Sequence, residues 1–270
     1  MKKYLVIGNP IKHSLSPLIH NHWLKKYGID AVYEKKELKN EDLKELFLDI
    51  KKSKLEGINV TVPFKNEVIK YLENLTLEAE KTQSVNTVYL KNNKLTGHNT
   101  DIEGFRLAIR NINFNIEDKE IFILGAGGVV PSLIYALKKL KVSKIIVSNR
   151  TRDKAEKIKS IYQDLTIIDW GKLPSFDMVI NATSLGLKND DKIPLDFSKT
   201  INNKIFYDII YNPRETNFLK NAKILGNKIE NGKRMFLYQA ALAFEIWHGI
   251  KPIVNDETIK LLESKLNDES

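Results

Sequence analysis

Residues 120–128 read Glu120-Ile121-Phe122-Ile123-Leu124-Gly125-Ala126-Gly127-Gly128, a short apolar run that breaks directly into glycine. Four consecutive β-prone residues ahead of a glycine turn predict a strand buried on both faces, as in a parallel sheet. A helix-spaced stretch, Leu133 to Leu140, follows. Such a strand-turn-helix junction presents backbone N–H groups and the positive end of a helix dipole to a diphosphate. Gly125 and Gly127 suit the tight turn and the close approach. The third glycine of G-x-G-x-x-G is absent, because Val130 stands there and Gly128 comes earlier. The broken fingerprint alone does not separate a nucleotide site from any other junction of this kind.

The end of the next strand, Lys144 to Ser148, decides between two cofactors. An NAD site needs an Asp or Glu there for the ribose hydroxyls. The chain instead reads Ser148-Asn149-Arg150-Thr151-Arg152, with Lys154 just beyond. The planar, permanently charged fork of Arg150 can pair with a 2′-phosphate and lie against an adenine face. Arg152 and Lys154 are explained as well by ordinary solvated charge. NADP is favoured over NAD.

Lys154 to Ile161 reads as a helix, and Met178 to Asn181 and Ile205 to Asp208 as two more strands of a nucleotide-binding domain. The first hundred residues form a separate series. Tyr4 to Ile7, Ala31 to Lys35 and Gly57 to Val62 read as strands. Ser16 to Tyr27, with Pro17 in its first turn, and Asp42 to Lys51 read as helices, and a short helix follows Pro63. This alternation favours a parallel or mixed α/β sheet. The boundary is expected near residues 101–119, along a helix from Ile102 to Asn111. Phe236 to Trp247 is apolar at helical spacing and needs a surface to pack on.

The 270 residues, 42% hydrophobic and 29% charged, suffice for more than one core. No cysteine is present, which excludes a disulfide framework, a thiol nucleophile and Cys-ligated metal, and permits a cytoplasmic setting. No metal site is expected. No run approaches the ~20 apolar residues that span a bilayer, so no membrane partner is expected. The formal charge of +9 invites a nucleic-acid reading. The excess is nearly all Lys, spread along the chain without an RNA- or DNA-binding signature, so it reads as solvated surface rather than a nucleic-acid site.

Asn59-Val60-Thr61-Val62 alternates polar and apolar, placing Asn59 and Thr61 on one face of a strand just before Pro63-Phe64-Lys65. Polar groups at the carboxyl end of a strand lie where open α/β sheets bind ligands. Lys65, taken singly, reads as an ordinary surface lysine. Thr100 with Glu103 has the spacing of a capping box, which would leave Asp101 free to face a ligand.

Taken in order, His13-Ser14-Leu15-Ser16-Pro17, Asn59-Val60-Thr61-Val62-Pro63-Phe64-Lys65, Val85-Asn86-Thr87, Asn99-Thr100-Asp101 and Gly125-Ala126-Gly127-Gly128 resemble the shikimate dehydrogenase family. Asn149-Arg150-Thr151, Asn181-Ala182-Thr183-Ser184-Leu185-Gly186, Asp208 with Tyr211, Asn231-Gly232 and Tyr238-Gln239-Ala240 extend the resemblance over nearly the whole chain. It implies an α/β substrate-binding domain, residues 1–101, completed by C-terminal helices 237–270. A Rossmann-type NADP-binding domain, residues 102–236, would follow, with a cleft between the two. It also implies NADPH-dependent, reversible reduction of 3-dehydroshikimate to shikimate in aromatic amino-acid biosynthesis.

The same resemblance implies roles for single residues. Ser14 and Ser16 would hold the substrate carboxylate, and Thr61, Asn86, Asp101 and Gln239 the ring hydroxyls, with Asn59 and Tyr211 in support. Lys65 and Asp101 would form the catalytic pair. Gly125, Ala126, Gly127, Gly128 and Val129, then Asn149, Arg150, Thr151, Arg152 and Lys154, would hold the dinucleotide, while Thr183, Ile209 and Gly232 approach its nicotinamide. The chain departs from the family at Val129, where a smaller residue is usual, and at Lys233-Arg234, where a second glycine usually precedes the methionine. Rival readings are an NAD-dependent quinate/shikimate dehydrogenase and a catalytically silent NADP-binding regulator. Monomers and homodimers are both compatible with the resemblance.

Overall fold

The computed structural model describes residues 1–188, 190–200 and 203–268. The chain divides into two compact units, one of residues 1–104 with 237–262 and the other of residues 105–236 with 263–270.

The first unit is built on a mixed six-stranded sheet. Strand β1 (Lys2–Gly8) pairs in parallel with β2 (Ala31–Glu37) on one side and β3 (Gly57–Val60) on the other. Beyond β3 the sheet continues through β5 (Thr87–Lys91), β6 (Lys94–His98) and β4 (Asn74–Leu75), with β5 antiparallel to both neighbours. Asn92 and Asn93 turn the β5–β6 hairpin at φ 51° and 60°. Two left-handed residues in a two-residue loop match the twist of the flanking strands, and asparagine tolerates that conformation better than most residues.

Helices α1 (Ser16–Lys26), α2 (Leu43–Lys51) and α3 (Leu77–Thr82) connect these strands, and α4 (Thr100–Arg110) follows β6. Leu43, Leu46, Phe47 and Ile50 follow i, i+3, i+4, i+7 spacing, so α2 buries one stripe in a core with Leu5, Ile7, Ile58, Phe64 and Val88. Strand β3 ends at Val60 rather than Val62, because a cis Val62–Pro63 bond follows and the backbone turns at Thr61. The helix after Pro63 is a 3-10 segment, Glu67–Tyr71.

The second unit carries a wholly parallel sheet. Its strands are β7 (Glu120–Leu124), β8 (Lys144–Ser148), β9 (Thr166–Ile168), β10 (Met178–Asn181), β11 (Ile205–Asp208) and β12 (Lys228–Glu230). The order is β9-β8-β7-β10-β11-β12. Numbered within the unit that is 3-2-1-4-5-6, the doubly wound dinucleotide-binding arrangement, whose strand order reverses between β7 and β10. Helices α5 (Val130–Lys139), α6 (Arg152–Ile161) and α7 (Asn217–Ile224) belong to this unit. The first two begin two or three residues before the apolar spacing implied.

Helix α8 (Lys233–His248) supplies the first unit with Leu237, Ala240, Ala241 and Phe244, all buried, and α9 (Asp256–Asp268) follows it. The Trp247 indole N–H donates to the Val88 carbonyl at 3.2 Å, and its ring lies 5.0 Å from Tyr4. Gly57 makes room for it: a Cβ there would collide with the indole. The apolar stretch at the end of the chain therefore packs on the first sheet.

One member of that aromatic cluster is a polar group without a partner. His20 is 1% exposed, stacks on Tyr33 at 4.1 Å, and neither ring nitrogen makes a hydrogen bond. Burial, with His248 nearby, pushes its pKa down to about 3. A depressed folded-state value means that this stability is present above the ordinary histidine range and is lost as pH falls. We expect thermal melts of the wild-type protein to lose stability between pH 6.5 and 3. His20→Phe should flatten that part of the profile, and an unaltered profile would show that His20 does not titrate there.

Candidate active site

In the first unit the site is assembled from the carboxyl ends of β1 and β3, the start of β5 and the amino ends of α1 and α4. Helix α1 starts at Ser16 with Pro17 in its first turn, where the missing N–H costs nothing. The Ser14 and Ser16 hydroxyls lie 3.3 Å apart at that positive helix end, an arrangement suited to a carboxylate.

Lys65 follows Phe64, which is buried in the core, and its own carbonyl accepts from the Val85 N–H at 2.8 Å. Both neighbours fix its backbone, and its side chain is 11% exposed. Nζ donates to Asp101 Oδ2 at 2.6 Å. The second Asp101 oxygen accepts from the Asn86 amide at 2.9 Å.

Asn86 is held from every side. Its Oδ1 accepts from the Thr100 N–H (2.8 Å) and from the Thr87 hydroxyl (3.0 Å), while its Nδ2 also reaches Gln239 Oε1 at 3.5 Å. Gln239 arrives on α8, which lies so close to α4 that a Cβ at Gly104 would stand 2.9 Å from the Gln239 N. The capping of α4 differs from the expectation. Asn99 Oδ1 accepts from the Asp101 N–H at 3.1 Å, whereas the Thr100 hydroxyl is engaged with Asn86. Asp101 is thus positioned by Asn99 rather than by a Thr100 cap.

Asn59, expected to share a face with Thr61, has its side chain committed within the protein. It accepts from the Tyr33 hydroxyl at 2.6 Å and donates to the Asn86 carbonyl (3.0 Å) and Thr87 Oγ1 (3.1 Å). Thr61 is half-buried and packs its methyl against Gly8. Tyr33 was not among the residues expected from sequence. It is the buried member of a strand whose neighbours are mostly Glu and Lys, and it also bonds Ser16, so it joins the serine pair to the Asn59–Asn86 network. An aromatic residue inside an otherwise charged strand was the available signal. Tyr211 belongs to the second unit, where its ring stacks on Phe236 at 4.4 Å.

In that unit the glycine turn sits at the strand-order reversal. Gly125 has φ +112°, and a Cβ there would lie 2.7 Å from the Ala182 carbonyl oxygen, so only glycine fits. Gly127 faces open space, with the Ala182 oxygen 4.0 Å from where its Cβ would be. Ala126, Gly128 and Val129 complete the turn into α5. Val129 takes a helical φ of −87°, which a branched residue adopts without strain.

Arg150 and Lys154 are exposed and form no ion pair among the described residues. Arg152, in contrast, is held by Glu156 at 3.1 Å and by Asp169. Asn149 donates to the Thr151 carbonyl at 2.7 Å. Thr183 donates to Asn181 Oδ1 at 2.7 Å, and the Ile209 N–H to the Asn181 carbonyl at 3.0 Å. A Cβ at Gly232 would collide with the Ile209 carbonyl, so this glycine is required whether or not one follows it. Lys233, the residue after Gly232, pairs with Glu263 at 2.5 Å. A glycine cradle that excludes side chains, together with two uncommitted cations after β8, fits a dinucleotide carrying an additional phosphate.

Among the described residues, no group of three His, Cys, Asp or Glu side chains could hold a metal, and no helix is long and apolar enough to cross a membrane.

Residues 6–88 match the model of the shikimate dehydrogenase substrate binding domain. Residues 106–217 match shikimate / quinate 5-dehydrogenase, and residues 232–253 the shikimate 5′-dehydrogenase C-terminal domain. The chain is 54% identical to a shikimate dehydrogenase (NADP(+)) of Pelagibacter ubique, over 97% of this chain and 99% of that one. Among solved structures, shikimate dehydrogenase from Aquifex aeolicus superposes with a TM-score of 0.90 at 36% identity, covering 99% of this chain and 98% of that one. A shikimate dehydrogenase in complex with NADP+ also gives 0.90, at 33% identity over 100% and 96% of the two chains. With the doubly wound sheet, the paired Lys65 and Asp101 and these similarities along its whole length, the chain belongs to the shikimate dehydrogenase family.

Proposed function

We propose that this chain catalyses the reversible, NADP-dependent reduction of 3-dehydroshikimate to shikimate, a step toward the aromatic amino acids. The observation that carries this reading is the buried Lys65–Asp101 pair, 2.6 Å apart and bordered by Asn86 and Gln239. Bound NADPH supplies the hydride. As hydride adds to the ketone carbon, negative charge develops on its oxygen. An ammonium placed there in advance stabilises that charge and gives the proton.

One Lys65 N–H is committed to Asp101, leaving two for the substrate oxygen. In the reverse direction Lys65 accepts the hydroxyl proton. Asp101 orients the ammonium with one oxygen and, with its remaining lone pairs, accepts from a ring hydroxyl. Ser14 and Ser16 hold the carboxylate, while Thr61, Asn86 and Gln239 take ring hydroxyls. The 3.5 Å Asn86–Gln239 contact is the weakest in the network and the one a hydroxyl replaces most readily. Asn59 acts through Asn86, and Tyr211 is a further substrate contact.

Gly125 to Val129 receive the diphosphate, and Asn149 to Lys154 the adenosine end, with Arg150 on the 2′-phosphate. Thr183, Ile209 and Gly232 line the nicotinamide. The cysteine-free composition suits a cytoplasmic enzyme. Homodimer formation is tested by sedimentation.

Incubation with NADPH and 3-dehydroshikimate should yield shikimate, identified by NMR. Failure to oxidise NADPH, or a different product, would refute the assignment. Gln239→Ala should raise KM for shikimate about tenfold with kcat nearly kept, the signature of lost uniform binding. An unchanged KM would place Gln239 outside the substrate site.

A further inference from the structure

The loops after β10 and β11 are tied to a buried carboxylate for which the proposed reaction has no use so far. Asp208, at the end of β11, is 0% exposed. Oδ1 accepts from the Ile210 N–H at 3.0 Å and Oδ2 from the Thr216 hydroxyl at 2.7 Å. The Asn181 amide, at the end of β10, donates to both oxygens at 3.1 Å. Asn181 in turn holds Thr183 through Oδ1 and the Leu185 carbonyl through Nδ2.

Every neighbour of Asp208 is a donor, so only a group that accepts on both oxygens satisfies the site. Asparagine would turn an NH2 toward one of those donors. Burial also pushes the Asp208 carboxyl up to about 6, against the opposing pull of Thr216, Ile210 and Asn181. Burying the charge costs desolvation energy, which the hydrogen bonds from Ile210, Thr216 and Asn181 offset, and an apolar replacement would leave those donors buried without an acceptor. The segments it fixes are the two that meet the glycine turn and the start of α8. Ala182 lies against Gly125, and the Ile209 carbonyl against Gly232.

We propose that Asp208 is a positioning residue for the nicotinamide half of the dinucleotide, holding Thr183 and Ile209 in register across the ends of β10 and β11. The proposal rests on the NADP reading above. It acts through Asn181, Ile210 and Thr216, so Asp208 itself touches no cofactor atom. The adenosine end, held by residues after β8, is independent of it.

The test compares NADPH with 2′-phospho-ADP-ribose, which carries the adenosine, its 2′-phosphate and the diphosphate but no nicotinamide. In Asp208→Asn, the Kd for NADPH should rise about tenfold and kcat should fall at least as far, while the Kd for the fragment stays within about twofold. Thr216→Val should show the same pattern in smaller degree, and Thr216→Ser, which keeps the hydroxyl, should behave as wild type. Should Asp208→Asn not fold, the Thr216 pair carries the test. Equal losses for NADPH and the fragment, or no loss for either, would overturn the positioning role while leaving the NADP reading intact. Wild-type protein that binds neither ligand would overturn that reading and the proposal together.

Discussion

Replacing Lys65 by alanine lowers kcat by about a hundredfold to ten-thousandfold, the range expected when a positioned acid is removed. KM for the ketone changes by only about a fewfold, because the carboxylate and hydroxyl contacts remain. The geometry explains the asymmetry. Ser14, Ser16 and Gln239 bind groups that look alike in substrate and transition state, whereas the ammonium meets an oxygen whose charge grows only as the reaction proceeds.

The substitution also leaves Asp101, 5% exposed, without its cation. Loss of one partner of a buried ion pair destabilises by roughly 3–5 kcal/mol. Activity is therefore measured at a temperature where melts show the variant folded. Lys65→Arg keeps the charge but places a planar fork where a compact ammonium stood, and should also be impaired. Near-normal kcat in Lys65→Ala would remove Lys65 from the chemistry.

Arg150→Ala raises KM for NADPH about tenfold to a hundredfold and KM for NADH far less, since a charge-assisted contact contributes roughly 1.5–3 kcal/mol and only the adenine contact is common to both cofactors. The discrimination follows from which cations are uncommitted. Arg152 is occupied by Glu156 and Asp169, so Arg152→Ala should have the smaller effect, although it lies equally near in sequence. An equal loss for both cofactors would place Arg150 elsewhere than on the 2′-phosphate. Raising ionic strength should weaken NADPH binding more in the wild type than in Arg150→Ala.

The legibility of the fold follows burial. Strands β7, β10 and β11 are apolar runs buried on both faces and were readable from composition alone. The three-residue edge strands β9 and β12 are only partly buried and too short to show a period. The β5–β6 hairpin escaped because its turn is Asn92-Asn93, without the glycine that usually marks one. In the site, Asp101 was singled out through a Thr100 cap that does not exist. Asn99 performs the capping, a role equally natural for asparagine, and Thr100 is drawn instead to Asn86.

The roles of Tyr33 and Thr87 were hard to read, because each bonds Asn59, more than ten residues away in sequence. The charge is similar. Lysines such as Lys3, Lys26 and Lys138 sit in exposed ion pairs with acidic neighbours and contribute little. Lys65 differs from them only by its burial against Asp101.

The most direct test is the initial rate of nicotinamide reduction with shikimate or quinate, each with NADP+ or NAD+. The site described here predicts that shikimate with NADP+ is the most efficient of the four combinations by kcat/KM. Equal or greater efficiency with quinate or with NAD+, or no turnover with any pair, would contradict it.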